Sequence, residues 1–162
     1  MDSVELNHKN DTHITPAKEL QQLSIFLGKW QVEGQNHENA PVGPGNKING
    51  EETYEWMQGE FFMISKWDRQ IGEVNHTGIG LIHYDTESGF FSADQYDNLG
   101  YNRTYLLVQD KNVWKLIGNN ERATIEFNKN GNSFTENWDI NSDDGAMWKP
   151  LCSLMGRRMS NL

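Results

Sequence analysis

The sequence predicts an all-β fold: an antiparallel β-barrel of about ten strands with a short N-terminal helix. Beyond residue 28, apolar and polar residues alternate with the period of two that belongs to a half-buried strand. Clusters of Asp, Asn, Ser and Gly break that alternation at intervals of roughly 8–12 residues, the rhythm of an antiparallel meander. About ten strands within 162 residues would leave costly open edges unless the sheet closes on itself. A β-sandwich is the architectural alternative.

Residues 1–14 are polar and aperiodic and read as a flexible tail, with 15–162 as a single domain. Thr15 offers an N-cap, and Pro16 suits the first helical position, where a missing N–H has no helical partner. Leu20, Leu23 and Leu27 follow at i, i+3 and i+7, with Phe26 close to their face, and Gly28 is a stop signal. The spacing predicts an amphipathic helix over 16–27. Trp30, Val32 and Gly34 then alternate with Lys29, Gln31 and Glu33, giving a first strand over 29–35. The stretch 36–49 holds Pro41, Gly43, Pro44 and Gly45 and reads as a loop. Further strands are expected over 50–57, 60–68, 76–85, 89–96, 100–109, 112–118, 121–128, 132–140 and 147–159. Turn clusters such as Asp97-Asn98-Leu99-Gly100 and Ser142-Asp143-Asp144-Gly145 separate them.

Charge and composition narrow the function classes. Lys and Arg total 14 against 23 Asp and Glu, a net charge of -9. Wrapping nucleic acid or docking on an anionic membrane surface needs the opposite balance, so neither partner is expected. No apolar run approaches the ~18 residues of a membrane span. The one cysteine, Cys152, excludes an internal disulfide framework and a Cys-based zinc cluster. Met1-Asp2-Ser3-Val4-Glu5 lacks the basic and apolar regions of a signal peptide, which predicts a cytoplasmic protein.

Gly28-Lys29-Trp30 resembles the Gly-x-Trp motif that opens the first strand of lipocalins and related calycins after a short helix. In that superfamily the Trp sits at the closed end of the barrel and packs against an Arg of the last strand. The resemblance implies the same role here for Arg157 or Arg158, as a cation over an aromatic face. The chain is more closely similar to a group of lipocalin-like bacterial proteins known as domains of unknown function. That likeness rests on Glu55-Trp56-Met57-Gln58-Gly59 and on Gly80, Tyr84, Asp85, Gly89 and Phe91, and spans roughly residues 20–159. The late Thr-Asp-Tyr turn of secreted lipocalins is absent, which argues against a secreted transport role. Haem-binding calycins of the nitrobindin-like group use a His late in the chain. Here none follows His83, so no cofactor is expected.

A barrel of this size encloses packed side chains or one small ligand. The informative positions are polar residues flanked on their own strand face by large apolar ones. Glu136 lies between Phe134 and Trp138, and Arg103 between Tyr101 and Tyr105. His83 shares a face with Ile79 and Leu81; Trp67 shares one with Met63 and Ser65. Directed inward, these faces predict an aromatic cavity with one carboxylate, one guanidinium and one imidazole. The expected ligand-binding residues are Trp67, His83, Arg103, Tyr105, Glu136 and Trp138. Buried charges are costly unless paired, so Arg103 and Glu136 pairing with each other is the structural reading of the same residues. Outward-facing strands with solvated charges are the alternative.

Nucleophile and metal motifs are missing: there is no Gly-x-Ser-x-Gly and no His-Glu-x-x-His. Cys152 has no adjacent His, and His76 and His83 fall on opposite strand faces. The expected function is binding of a small apolar or aromatic molecule inside the barrel. The alternatives are an isomerase-, cyclase- or lyase-type enzyme with Glu136 as general base and Tyr84 or Tyr105 as proton donor, or a protein-interaction module. A homodimer is left open.

Overall fold

The computed structural model describes residues 14–141 and 147–160. The expected tail, apart from Ile14, and the expected turn at 142–145 lie outside the described residues. Ten strands follow in order: β1 (Gly28–Asn36), β2 (Lys47–Trp56), β3 (Phe62–Ile71), β4 (Val74–Asp85), β5 (Phe90–Asp97), β6 (Asn102–Asp110), β7 (Val113–Ile117), β8 (Glu121–Phe127), β9 (Ser133–Asn141) and β10 (Trp148–Arg158). Each pairs antiparallel with its neighbours in sequence, and β10 returns to β1, closing the barrel and removing every sheet edge. Each expected strand is present, with ends displaced by a few residues. The largest gains are at β2, which begins at Lys47 inside the expected loop 36–49, and at β3, which continues past 68 to Ile71. Alternation sets the inner face, as in β8, where Glu121, Ala123, Ile125 and Phe127 are buried and the residues between them are exposed. The register shifts between Pro150 and Cys152, where the proline has no N–H to give the ladder. Among the described residues, no helix is long and apolar enough to cross a membrane.

The N-terminal helix differs from expectation in type and extent. It is a 3-10 helix over Lys18–Phe26; Ala17 flanks its start without a side-chain cap, so Thr15 does not cap it. At three residues per turn, Leu20, Leu23 and Phe26 line up on one side, and these are its buried residues. Leu27, which the α-helical period places on that face, falls outside the helix and is only half-buried. The barrel end decides the outcome: the Phe26 ring packs 5.0 Å from Phe127 and 5.3 Å from both Tyr54 and Trp114. A regular 3-10 period delivers all three apolar side chains to that aromatic floor.

Trp30 is fully buried in the same floor, 5.0 Å from Phe134 and 5.9 Å from Phe127. Its indole N–H donates to Phe26 O at 2.8 Å, tying the helix end to β1. Of the two arginines, Arg158 closes the floor. Its guanidinium carbon lies 4.2 Å from the Trp30 ring centroid, and its N–H groups donate to the carbonyls of Leu27, Ile25 and Gly131. Gly28 permits this: its φ is 115°, and a Cβ there would meet Arg158 Nη1 at 3.0 Å. Arg157 points outward to the exposed Glu33 at 3.7 Å. Above the floor lies a second apolar layer that includes Val32, Met63, Ile82, Leu107, Leu116 and Ile125, all buried. Each such side chain contributes about 1.5–3 kcal/mol relative to exposure. Among the described residues, apolar side chains fill this end of the barrel.

Candidate functional site

Above the apolar layers is a cavity of about 170 Å3, reached from the end where the β1–β2 and β5–β6 loops contribute Val42, Leu99 and Tyr101. One water needs roughly 10–15 Å3 of such space, so the cavity has room for a small organic molecule. Its lining carries two separate charge clusters.

The first joins β2, β3 and β9. Glu52, buried in the wall, accepts hydrogen bonds from Arg69 Nη2 and from the Tyr54 hydroxyl at 3.2 Å. The same Nη2 lies 4.0 Å from Glu136 Oε1, which accepts the Trp138 indole N–H. Burial pushes the Glu136 carboxyl up, Glu52 adds to that, and Arg69 opposes it; the result is about 7. Burial disfavours the charge on Arg69, but Glu52 and Glu136 outweigh it and hold the guanidinium firmly protonated. Burial first, and Glu52 second, raise the Tyr54 hydroxyl well above its ordinary range.

The second cluster joins β4, β5, β6 and β8. Arg103 Nε sits 3.0 Å from Glu121 Oε2, which also accepts the Tyr105 hydroxyl at 2.7 Å. Arg103 Nη1 lies 3.7 Å from Asp97 Oδ2, and that oxygen is 3.1 Å from His76 Nε2. Asp97 Oδ1 accepts the backbone N–H groups of Leu99 and Tyr101, so one carboxylate both shapes the turn and anchors the cluster. Burial alone would raise the Asp97 carboxyl, but the Tyr101 N–H, the His76 ring and the Leu99 N–H bring it below its ordinary value. Burial lowers the His76 imidazole and outweighs its Asp97 partner.

Of the expected site residues, Trp67, Arg103, Tyr105, Glu136 and Trp138 all line the cavity. His83 does not. The inward residues of β4 are the even-numbered ones, His76, Gly78, Gly80 and Ile82, so His83 stands on the outer face with Ile79 and Leu81. There it packs on Phe62 and lies 3.7 Å from Asp94. Arg103 and Glu136 do not pair; each belongs to its own cluster. The cavity thus holds four carboxylates (Glu52, Asp97, Glu121, Glu136) rather than one, two guanidinium groups rather than one, and His76 in place of His83. Arg69 lies two residues beyond Trp67 on the same face, just past the expected end of that strand. Glu121 opens the expected strand 121–128 on its buried face, and Asp97 falls in the expected turn, one residue past the expected strand 89–96.

Three buried polar atoms in this lining have no hydrogen-bond partner among the described residues: Trp67 Nε1, Arg69 Nε and His76 Nδ1. They share one wall. Arg69 is directly opposite His76 in the β3–β4 register, and Trp67 opposite Gly78. The Trp67 ring lies across Gly78, where a Cβ would come within 1.9 Å of it, and its centroid is 5.8 Å from that of His76. Leaving a buried donor or acceptor unmatched costs about 1–3 kcal/mol each.

Fold and site together define a closed ten-stranded antiparallel barrel with a solid apolar floor and a polar, aromatic cavity above it. The chain belongs to the family described as "Protein of unknown function (DUF1579)", matched over residues 15–145. No curated protein matches it. Among solved structures it is similar to the S-type phycobiliprotein lyase CPES from Guillardia theta, with a TM-score of 0.52 and 10% identity over 88% of this chain and 93% of that one. A de novo designed fluorescence-activating β-barrel matches with a TM-score of 0.45 and 14% identity, over 84% of this chain and 95% of that one. The lyase likeness is one of fold.

Proposed function

We propose that the barrel binds a small, largely aromatic molecule in the cavity above its apolar floor. Trp67, Trp138 and Tyr105 supply the apolar walls; Arg103 and Glu136 belong to the polar clusters that orient the ligand. The observation that carries this reading is the group of three unmatched buried atoms on the β3–β4 wall. Native proteins seldom leave such atoms unpaired, and a bound molecule would satisfy them. The Gly28, Trp30 and Arg158 closure supports placing the barrel among the lipocalin-like calycins. Native mass spectrometry of protein purified from its own host tests the proposal. A non-covalent small-molecule adduct is expected; a bare polypeptide mass under conditions that preserve known complexes would contradict it.

One observation favours a second reading, acid–base catalysis on such a molecule. Glu136 is enclosed beside a second carboxylate, and its carboxyl is pushed up to about 7, near the value that serves a general acid or base at neutral pH. A co-purified molecule that is converted by the wild type and retained unchanged by Glu136→Gln would establish this reading over simple binding.

A further inference from the structure

The chemistry of the cavity wall narrows the ligand class; the inference rests on the cavity-binding reading above. Both cavity guanidinium groups already face carboxylates: Arg69 faces Glu52 and Glu136, and Arg103 faces Glu121 and Asp97. Lys66, the remaining cationic residue at the cavity, extends a largely exposed side chain to Glu55 at 3.8 Å. Four carboxylates against two guanidinium groups leave no unmatched cation among the described lining residues to receive an anionic ligand. A ligand carboxylate or phosphate would enter a site that already has an excess of acid, without the bidentate Arg contact that normally holds it.

The three unmatched atoms have defined polarity. The Trp67 indole and the Arg69 Nε–H can only donate. His76 presents Nε2 to the Asp97 carboxylate at 3.1 Å, which requires the proton on Nε2. Burial favours the neutral ring, and Nδ1 then carries a lone pair. The wall therefore offers two donors beside one acceptor. A cationic amine would match Nδ1 and leave both donors unmatched; a simple hydrocarbon would match none. The complement is a molecule with an acceptor oxygen next to an N–H. Its shape is also constrained: the Trp67 ring lies flat over Gly78, and Tyr105 and Trp138 stand edge to face at 5.3 Å nearby.

We propose that the site selects an uncharged planar molecule with a lactam or cyclic-amide edge, its oxygen accepting from Trp67 Nε1 and Arg69 Nε and its N–H donating to His76 Nδ1. Small aromatic carboxylates of the same outline are disfavoured.

The test titrates the full chain with three bicyclic probes, followed by isothermal calorimetry: 2-quinolone, which carries the lactam edge; quinoline-2-carboxylate, which is anionic; and naphthalene, which has no polar edge. The lactam is expected to bind at least tenfold more tightly than the carboxylate. Trp67→Phe, which keeps a ring and removes the donor, is expected to weaken 2-quinolone about tenfold more than it weakens naphthalene. Equal or tighter binding of the carboxylate would overturn the ligand class and leave cavity binding standing. An equal loss for 2-quinolone and naphthalene in the variant would reduce Trp67 to packing and overturn its role as a donor. Absence of binding by all three probes would contradict this inference and the cavity-binding reading together.

Discussion

Arg158 covers the ring of Trp30 at 4.2 Å and at the same time holds the carbonyls of Ile25 and Gly131, each at 3.0 Å, so one side chain joins the N-terminal helix, β1, the β8–β9 turn and β10. The contact is the last link in closing the barrel. Its neighbour Arg157 meets only exposed partners among the described residues, Glu33 and the Met155 sulfur.

That contrast predicts unequal effects. Arg158→Met should lower stability by about 2 kcal/mol, since it removes charged hydrogen bonds and a cation–π contact. Arg157→Met should stay within about 0.5 kcal/mol of wild type, as exposed ion pairs do. Trp30→Ala should cost ~3–5 kcal/mol, because the ring is fully buried. Urea denaturation of the three variants measures this; equal effects of the two arginine substitutions would contradict the assignment of Arg158.

The helix gives a second comparison. Phe26→Ala removes a buried ring touching three aromatic neighbours and should cost about 3–5 kcal/mol. Leu27→Ala, at a half-buried position after the helix, should cost about 1 kcal/mol. An α-helical period would bury Leu27 with Leu20 and Leu23, so a loss of about 2–5 kcal/mol for Leu27→Ala in thermal or chemical denaturation would contradict the 3-10 register.

These cases show what local pattern can and cannot reveal. The strand order was legible because period-two alternation and Asp/Asn/Gly turns act locally, and closure follows from the cost of open edges. The helix type was not, because the spacing of Leu20, Leu23 and Phe26 suits two periods and the aromatic floor chooses between them. In the site, Glu136, Trp138, Arg103, Tyr105 and Trp67 were legible from their flanking apolar residues. The seven-residue spacing of His76 and His83 puts them on opposite faces, but the choice of inner face depends on sheet register. His76 has glycines at 78 and 80 for same-face neighbours, whereas His83 has Ile79 and Leu81, so the apolar flank favours the histidine that the fold turns outward. The glycines make room for Trp67 and Ser65, which only the fold reveals.

Glu136 predicts a pH dependence of stability. Its carboxyl binds a proton more tightly in the folded state, at about 7, than at the ordinary 4.5. The folded state therefore holds the extra proton between those values. The stability contributed by that proton is complete below about 4.5 and is lost as pH rises through 7. Glu136→Gln should flatten this decline while the barrel survives, with Glu52 still paired to Arg69. Urea midpoints taken from pH 4.5 to 8 check it; an unchanged slope in the variant would place the proton elsewhere.

Gly78 tests the wall itself. A methyl group there meets the Trp67 ring at 1.9 Å, so Gly78→Ala must displace the indole, at about 1–3 kcal/mol. The near-ultraviolet circular dichroism of the indole should change, and ligand affinity should fall with it. A spectrum identical to wild type would mean the ring does not lie over Gly78.

The most direct measurement of the central claim is the indole N–H resonance of Trp67 in 15N-labelled protein. Spectra are compared for the protein as isolated from its own host and after unfolding and refolding to strip any ligand. The account predicts that the Trp67 indole peak moves on stripping, while that of Trp30, bonded within the protein to Phe26 O, stays in place. A Trp67 peak at the same position in both preparations would contradict a ligand on the β3–β4 wall.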